Sequence, residues 1–257
     1  MRVATIALHT FKESVREKVL YNLVAFALLL IGAAILFGSI SVGVEQTILI
    51  TLGLTSISVF GLLIAIFIGI DLVSKEIERR TIYNILSKPV SRPEFILGKY
   101  LGLLLTLFVN TAVMTVGFYA ALFYQKRALL LDDLRFLGAV YFILLELAMV
   151  VGIAVVFSCI STPVLSVICT FCLYVIGNFS GDLRTFGQQT QSAFLGTVCD
   201  VLYYLLPNFG DFNVISRVAH AEKIPGYLWV GNSAYAVLYI AVLVSIAILV
   251  FEGREFR

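Results

Sequence analysis

Six stretches of mostly apolar residues, each near the length a helix needs to cross a hydrocarbon layer, constrain this chain more than anything else in it. They run from Val19 to Ile40, Thr47 to Ile70, Tyr100 to Phe123, Phe136 to Ile160, Pro163 to Phe179 and Ser233 to Phe251. A bilayer core of about 30 Å takes about 20 residues of helix, and within it each segment must satisfy its own backbone amides. The fold class expected is therefore an all-α membrane protein with six transmembrane helices. Composition decides the same way: 60% of residues are apolar and 13% charged, against about half and about a quarter in soluble domains. The fifth run is short and is expected to extend over Ser161 and Thr162. Residues 1–257 are read as a single transmembrane domain, and an even number of spans puts both termini on one side.

Orientation follows from Lys and Arg near the span ends. Arg2, Lys12, Arg16, Lys18, Lys75, Arg79, Arg80, Lys88, Arg92, Lys99, Arg254 and Arg257 fall on one side, leaving six of the 18 basic residues on the other. Both termini are expected in the cytoplasm. Residues 2–18 read as an amphipathic helix at the membrane surface that leads directly into the first span. Val3, Ile6, Ala7 and Phe11 share a stripe with Thr10 and Ser14, while Arg2, His9, Lys12, Glu13 and Arg16 share the wet side. His9 is then a solvated group rather than a ligand.

Between the second and third runs lies the one long, densely charged segment flanked by apolar ones, residues 74–99. Thr81 can cap a short helix in which Ile82, Ile85 and Leu86 share a face. Pro89 ends it and pushes Lys88 out of helical geometry. Ser91 with Glu94 has the form of a capping box, and Pro93 is tolerated in a first turn, so another helix starts near Arg92. A plain topological anchor would not need these caps. The other large connection, residues 180–232, is expected outside. Val198 to Leu206 is too short to span, and it precedes Pro207, Asn208, Phe209, Gly210, Asp211, Phe212 and Asn213. Such a stretch fits a helix resting in the outer interface, either a paired helix over a path through the bundle or an inert cap.

Within the spans, Glu146 lies near the middle of the fourth, where a charge is expensive and faces a bundle interior or a wet cavity. It is a candidate for a translocation or proton path, or a structural hydrogen-bonding group. Asn110 and Asn178 are expected to hydrogen-bond between helices, with contact to a translocated substrate as the other reading. Gly32, Gly53, Gly61, Gly102, Gly117 and Gly152 permit close helix approach. Cys159, Cys169, Cys172 and Cys199 are expected as small buried hydrophobes, and His9 and His220 stand far apart, so no metal site is expected. A phosphate-cradling GxxxxGK[ST] loop is missing, as Gly98-Lys99 is followed by Tyr100 and has Pro93 where the first Gly belongs. Nor is there an HExxH zinc pair or a GxSxG elbow, so no enzymatic activity of its own is expected. A net charge of +2 gives no reason to expect a nucleic-acid partner.

The segment from Glu76 to Lys99 resembles the signature region of the type-2 ABC exporter permeases, membrane subunits that work with a separate ATPase. Glu78, Arg79, Arg80, Thr81, Ile82, Ile85, Leu86, Ser87, Pro89, Val90, Ser91, Arg92, Phe95, Gly98 and Lys99 occupy the positions of that pattern, with Arg80 where a Gly is frequent. The amphipathic start is similar to the family's interfacial helix, and Leu206-Pro207-Asn208 with Phe212-Asn213 to its outer-loop motif. The resemblance implies a multi-pass protein of a bacterial cytoplasmic (inner) membrane. Two permease subunits, a homodimer in preference to a heterodimer, would pack together. Each would dock the Thr81 to Ser87 coupling helix in a cleft of one of two ATPase copies. Ile82, Ile85 and Leu86 would supply apolar contact, Arg79, Arg80 and Arg92 the rim, and Pro89 the stop. No cofactor is expected on this chain, since ATP and Mg would sit on the partner ATPase. Two rivals remain: a proton-coupled secondary transporter using Glu146, and a non-transporting anchor or mechanotransmitter for an ATPase.

Overall fold

The computed structural model describes residues 2–40, 43–78, 91–127, 131–189 and 193–253, and all regular structure among them is helical. The helices are α1 (Arg2–Ser14), α2 (Lys18–Ile40), α3 (Glu45–Glu78), α4 (Arg92–Lys126), α5 (Arg135–Ile160), α6 (Pro163–Asn178), α7 (Ser180–Gln189), α8 (Ala193–Leu205), α9 (Ile215–Ala219) and α10 (Gly226–Gly253). Five of them are long and apolar enough to cross a membrane, and α6 with the start of α7 makes a sixth if that bent pair counts as one span. α5 is the axis of the bundle, with 67% of its most apolar window buried, against 22% for α2 and α10 on the flanks. α3 approaches α5 closely through small residues, Gly61 against Leu147 and Gly69 against Ala154.

The second and third spans overrun their expected ends. α3 has 34 residues and α4 has 35, so each is about 50 Å long at 1.5 Å per residue, against about 30 Å of hydrocarbon. α4 starts at Arg92 as the proline and capping pattern requires: the Ser91 amide donates to Glu94 Oε2 at 3.0 Å. The helix beginning there and the third span are one continuous element. Similarly α10 begins at Gly226, seven residues before its apolar run, because that first turn is aromatic and packs on α5.

The fifth span departs from expectation. Ser161 and Thr162 are extended, with ψ of 174° and 156°, and do not join α6. Pro163 is the physical reason, because its ring excludes helical geometry from the residue before it. α6 has 16 residues, about 24 Å, too short to cross alone. It bends by 52° into α7. Gly177 sits at that bend, where a Cβ would lie 2.5 Å from the Pro207 carbonyl oxygen.

The N-terminal helix is shorter than expected, ending at Ser14, with a turn at 15–17 before α2. Its stripe does not lie free in the interface. Thr10 and Ser14 are buried against α4, where Gly98 and Gly102 leave no side chain between the backbones; a Cβ on Gly102 would come within 2.6 Å of the Ala7 carbonyl oxygen. Gly98-Lys99-Tyr100-Leu101-Gly102 is a small-xxx-small face, the pattern that lets apolar helices approach closely. Gly53, Gly61, Gly102, Gly117 and Gly152 all have a neighbouring element on them, whereas Gly32 has nothing within 4 Å. Cys159 and Cys199 are buried, but Cys172 is exposed on the rim of α6.

Candidate functional site

Two polar constructions stand out from this apolar bundle, one at the end bearing α1 and one in its middle. The first is built at the start of α4. Arg92 Nη1 donates to the Glu252 carbonyl at 2.7 Å and, at 3.4 Å, to that of Phe251. These are among the last carbonyls of α10, which have no partner within their own helix, and a cation there also meets the negative end of the helix dipole. Phe95 stacks on Phe251 with ring centroids 5.7 Å apart, so the join has an apolar half. One turn further on, Lys99 is 2% exposed, its Nζ 3.8 Å from Glu13 Oε2 and 5.8 Å from the Phe95 ring centroid. Glu13 keeps 39% of its side chain exposed, at the wet edge where it was expected, and meets Lys99 from there. A cation taken out of water needs such a counter-charge. The start of α4 is thereby tied to both α1 and α10.

Of the coupling residues expected from the sequence, Arg79, Arg80, Thr81, Ile82, Ile85, Leu86 and Pro89 lie outside the described residues. Arg92 is described, and it caps α10.

The second construction surrounds Glu146, which is 4% exposed on α5. Its carboxyl group faces the Tyr174 side chain of α6, near Ser58 of α3 and Asn178 of α6. Three helices thus meet around one tyrosine side chain. The cluster brings together two expected residues, Glu146 and Asn178, through two that were not foreseen. Tyr174 gave no signal in the sequence beyond an aromatic in an apolar run, and Ser58 is one of several serines in its span. Asn110 does not join them: its amide donates 2.7 Å to the Thr106 carbonyl, one turn back in α4. Asn178 likewise donates to the Tyr174 carbonyl at 3.1 Å. The expectation that these asparagines bond between helices is corrected, since a short amide reaches its own i−4 carbonyl more readily than a neighbouring helix.

From Tyr174 the connection continues to the far end. Its ring lies 5.4 Å from that of Phe209, and the Phe209 amide donates to Gly177 O at 3.2 Å. Asn208 is the hub of this region. Its Oδ1 accepts from Ser180 Oγ at 2.7 Å, its Nδ2 donates to Asp211 Oδ2 at 2.6 Å, and its backbone amide donates to Tyr235 Oη of α10 at 3.1 Å. Asn232 donates to the Asp211 carbonyl at 2.8 Å. The segment 207–213 therefore clamps the α6–α7 bend to α10. α8, which begins five residues before the apolar stretch at Val198, pairs with α7: Gly187 packs on Cys199, and Arg184 lies 4.8 Å over the Tyr203 ring.

A buried polar cluster in the bundle middle is linked through packed elements to both ends, and the longest helices project from the end where the charged segment 79–90 connects them. No curated protein matches the sequence. The profile of the ABC-2 family transporter proteins matches residues 4–256, nearly the whole chain. The chain belongs to the ABC-2 family of transporter proteins and is a multi-pass membrane permease subunit of an ABC transporter.

Proposed function

We propose that this chain exports its substrate as a pair of identical permease subunits in a bacterial cytoplasmic membrane, driven by two copies of a separate ATPase that bind ATP and Mg. Segment 79–90 docks on the ATPase, with Ile82, Ile85 and Leu86 as its apolar contact and Arg79 and Arg80 around them. The observation that carries this reading is the overrun of α3 and α4, each about 50 Å long against about 30 Å of hydrocarbon. ATP closes the ATPase dimer, the docked segments move, and α4 passes the movement on to α1 and α10 through Lys99 and Arg92.

Solubilised from its native membranes, the chain is expected to bring down an ABC ATPase, and Leu86→Asp to lose it while keeping the wild-type melting profile. Retrieval of no ATPase by the unmutated chain contradicts the proposal. The Glu146 cluster favours one second reading, a proton-coupled carrier. If Glu146→Gln abolishes transport while ATPase binding persists, that reading takes precedence.

A further inference from the structure

At the end of the bundle opposite α1, the starts of α5 and α10 enclose an open recess of about 540 Å³ lined by Asp132, Arg135, Gly138, Glu222, Lys223 and Trp229, among others. Its charges are arranged unusually. Two cations and two anions border one space, yet among the described residues none of the four lies within 4 Å of an opposite charge. A few residues away, Lys126 and Asp133 do pair, at 2.6 Å. Opposite charges that stand around a cavity without closing on each other leave both signs available to a ligand. Arg135 carries this furthest: its Nε is enclosed without a hydrogen-bond partner, and its guanidinium rests 5.2 Å from the Phe136 ring centroid.

The wall is aromatic and held in place. Trp229 stacks on Tyr141 at 5.4 Å and tilts on Phe142 at 5.2 Å. The ring edge rests on Gly138, where a Cβ would approach it to 3.1 Å. The facing turn is set by Ala221 in left-handed backbone, φ 62°, with the Glu222 amide donating to Arg217 O at 2.9 Å. Trp229 and Arg135 both sit in the first turn of helices long enough to span, the level at which tryptophan is enriched between lipid tails and water.

We infer that this recess binds the phosphate and amine of a zwitterionic phospholipid headgroup, as in phosphatidylethanolamine. Arg135 and Lys223 take the phosphate, where a guanidinium offers paired donors. Asp132 and Glu222 take the ammonium group, with the Trp229 face beside it. The acyl chains continue down the lipid-facing side of α10, where Val230, Val237 and Leu238 are exposed. An anionic headgroup without an amine would leave both carboxylates facing it unpaired. The inference rests only on the chain being membrane-embedded, and loss of the ATPase partner would not touch it.

Trp229 is the chain's only tryptophan, so its fluorescence reports occupancy directly. The full chain in a maltoside detergent is titrated with short-chain phosphatidylethanolamine, short-chain phosphatidylglycerol and free phosphoethanolamine. The expected result is a saturable change in Trp229 emission with phosphatidylethanolamine, weaker with phosphatidylglycerol and absent with phosphoethanolamine. Arg135→Gln should raise the midpoint about tenfold or more, since a hydrogen bond to a charged group contributes about 1.5–3 kcal/mol. Glu222→Gln should narrow the preference between the two lipids. Lys223→Gln, at an exposed position, carries the test if Arg135→Gln does not fold. Equal midpoints for both lipids, unmoved by these substitutions, overturn the inference. An equal response to free phosphoethanolamine overturns the lipid as the source.

Discussion

At the scale of the residue, the two informative groups are Arg92 and Tyr174. Arg92 sits in a charged segment that reads as an ATPase-facing rim, yet its guanidinium closes the end of α10. A cation at a helix C-terminus contributes about 0.3–1 kcal/mol when exposed and up to about 2 kcal/mol when partly buried. Arg92→Gln should therefore lower stability by about 1 kcal/mol, seen as a reduced melting temperature and faster hydrogen exchange in the last turn of α10. Unchanged exchange there would remove Arg92 from its capping role. Tyr174 of α6 faces Glu146 of α5, near Ser58 of α3. Hydrogen bonds between helices in a membrane average about 0.6 kcal/mol and reach about 1.7 kcal/mol. A double-mutant cycle of Tyr174→Phe and Glu146→Gln should return a coupling in that range, and additivity of the two would mean that the pair does not interact. Glu146 was visible in the sequence because a lone acid in an apolar run has few explanations. Its partner was not, because which of many tyrosines and serines faces it depends on helix rotation, which no local pattern carries.

At the scale of the element, close backbone approach decides where α1 sits. Gly102→Val would drive a branched side chain into Ala7 and Thr10, where even a Cβ comes within 2.6 Å. The expected outcome is release of α1 from α4, read as new protease cleavage between residues 2 and 18 in an otherwise folded chain. Gly32→Ala is the contrast. Nothing lies within 4 Å of that Cβ, and alanine favours helix by about 1 kcal/mol over glycine. It should leave the melting temperature unchanged or raise it. Both glycines occur in apolar runs, and the sequence treats them alike. Helix identities, by contrast, were legible: five spans, the start at Arg92 and the helical character of the start all follow from apolar length, proline and capping chemistry. The broken fifth span was half legible. Pro163 announced the break before it, but the bend at Phe179 is imposed by segment 207–213, which is distant in sequence.

At the scale of the whole molecule, α5 is an axis around which α3, α4, α6 and α10 pack, and the polar contacts lie where these helices have to hold one another. Movement at the start of α4 cannot leave α1 or α10 behind while the Lys99 and Arg92 contacts hold. It also reaches α5 through Tyr100, whose hydroxyl donates to the Ala148 carbonyl at 3.0 Å, two residues from Glu146. The overall organisation was legible because hydrocarbon demands long apolar helices, and the family because its motifs are local. The internal linkage was not, because it is made of contacts between residues far apart in the chain. Movement of segment 79–90 when a partner ATPase binds nucleotide can be measured directly. In a variant with Cys159, Cys169, Cys172 and Cys199 replaced, a spin label is placed at Ile82→Cys in the assembled complex. The distance between the two labels is then recorded with and without trapped nucleotide. A shift to shorter distance on trapping is the expected result. An identical distribution in both states, in a complex that still hydrolyses ATP, would contradict the account.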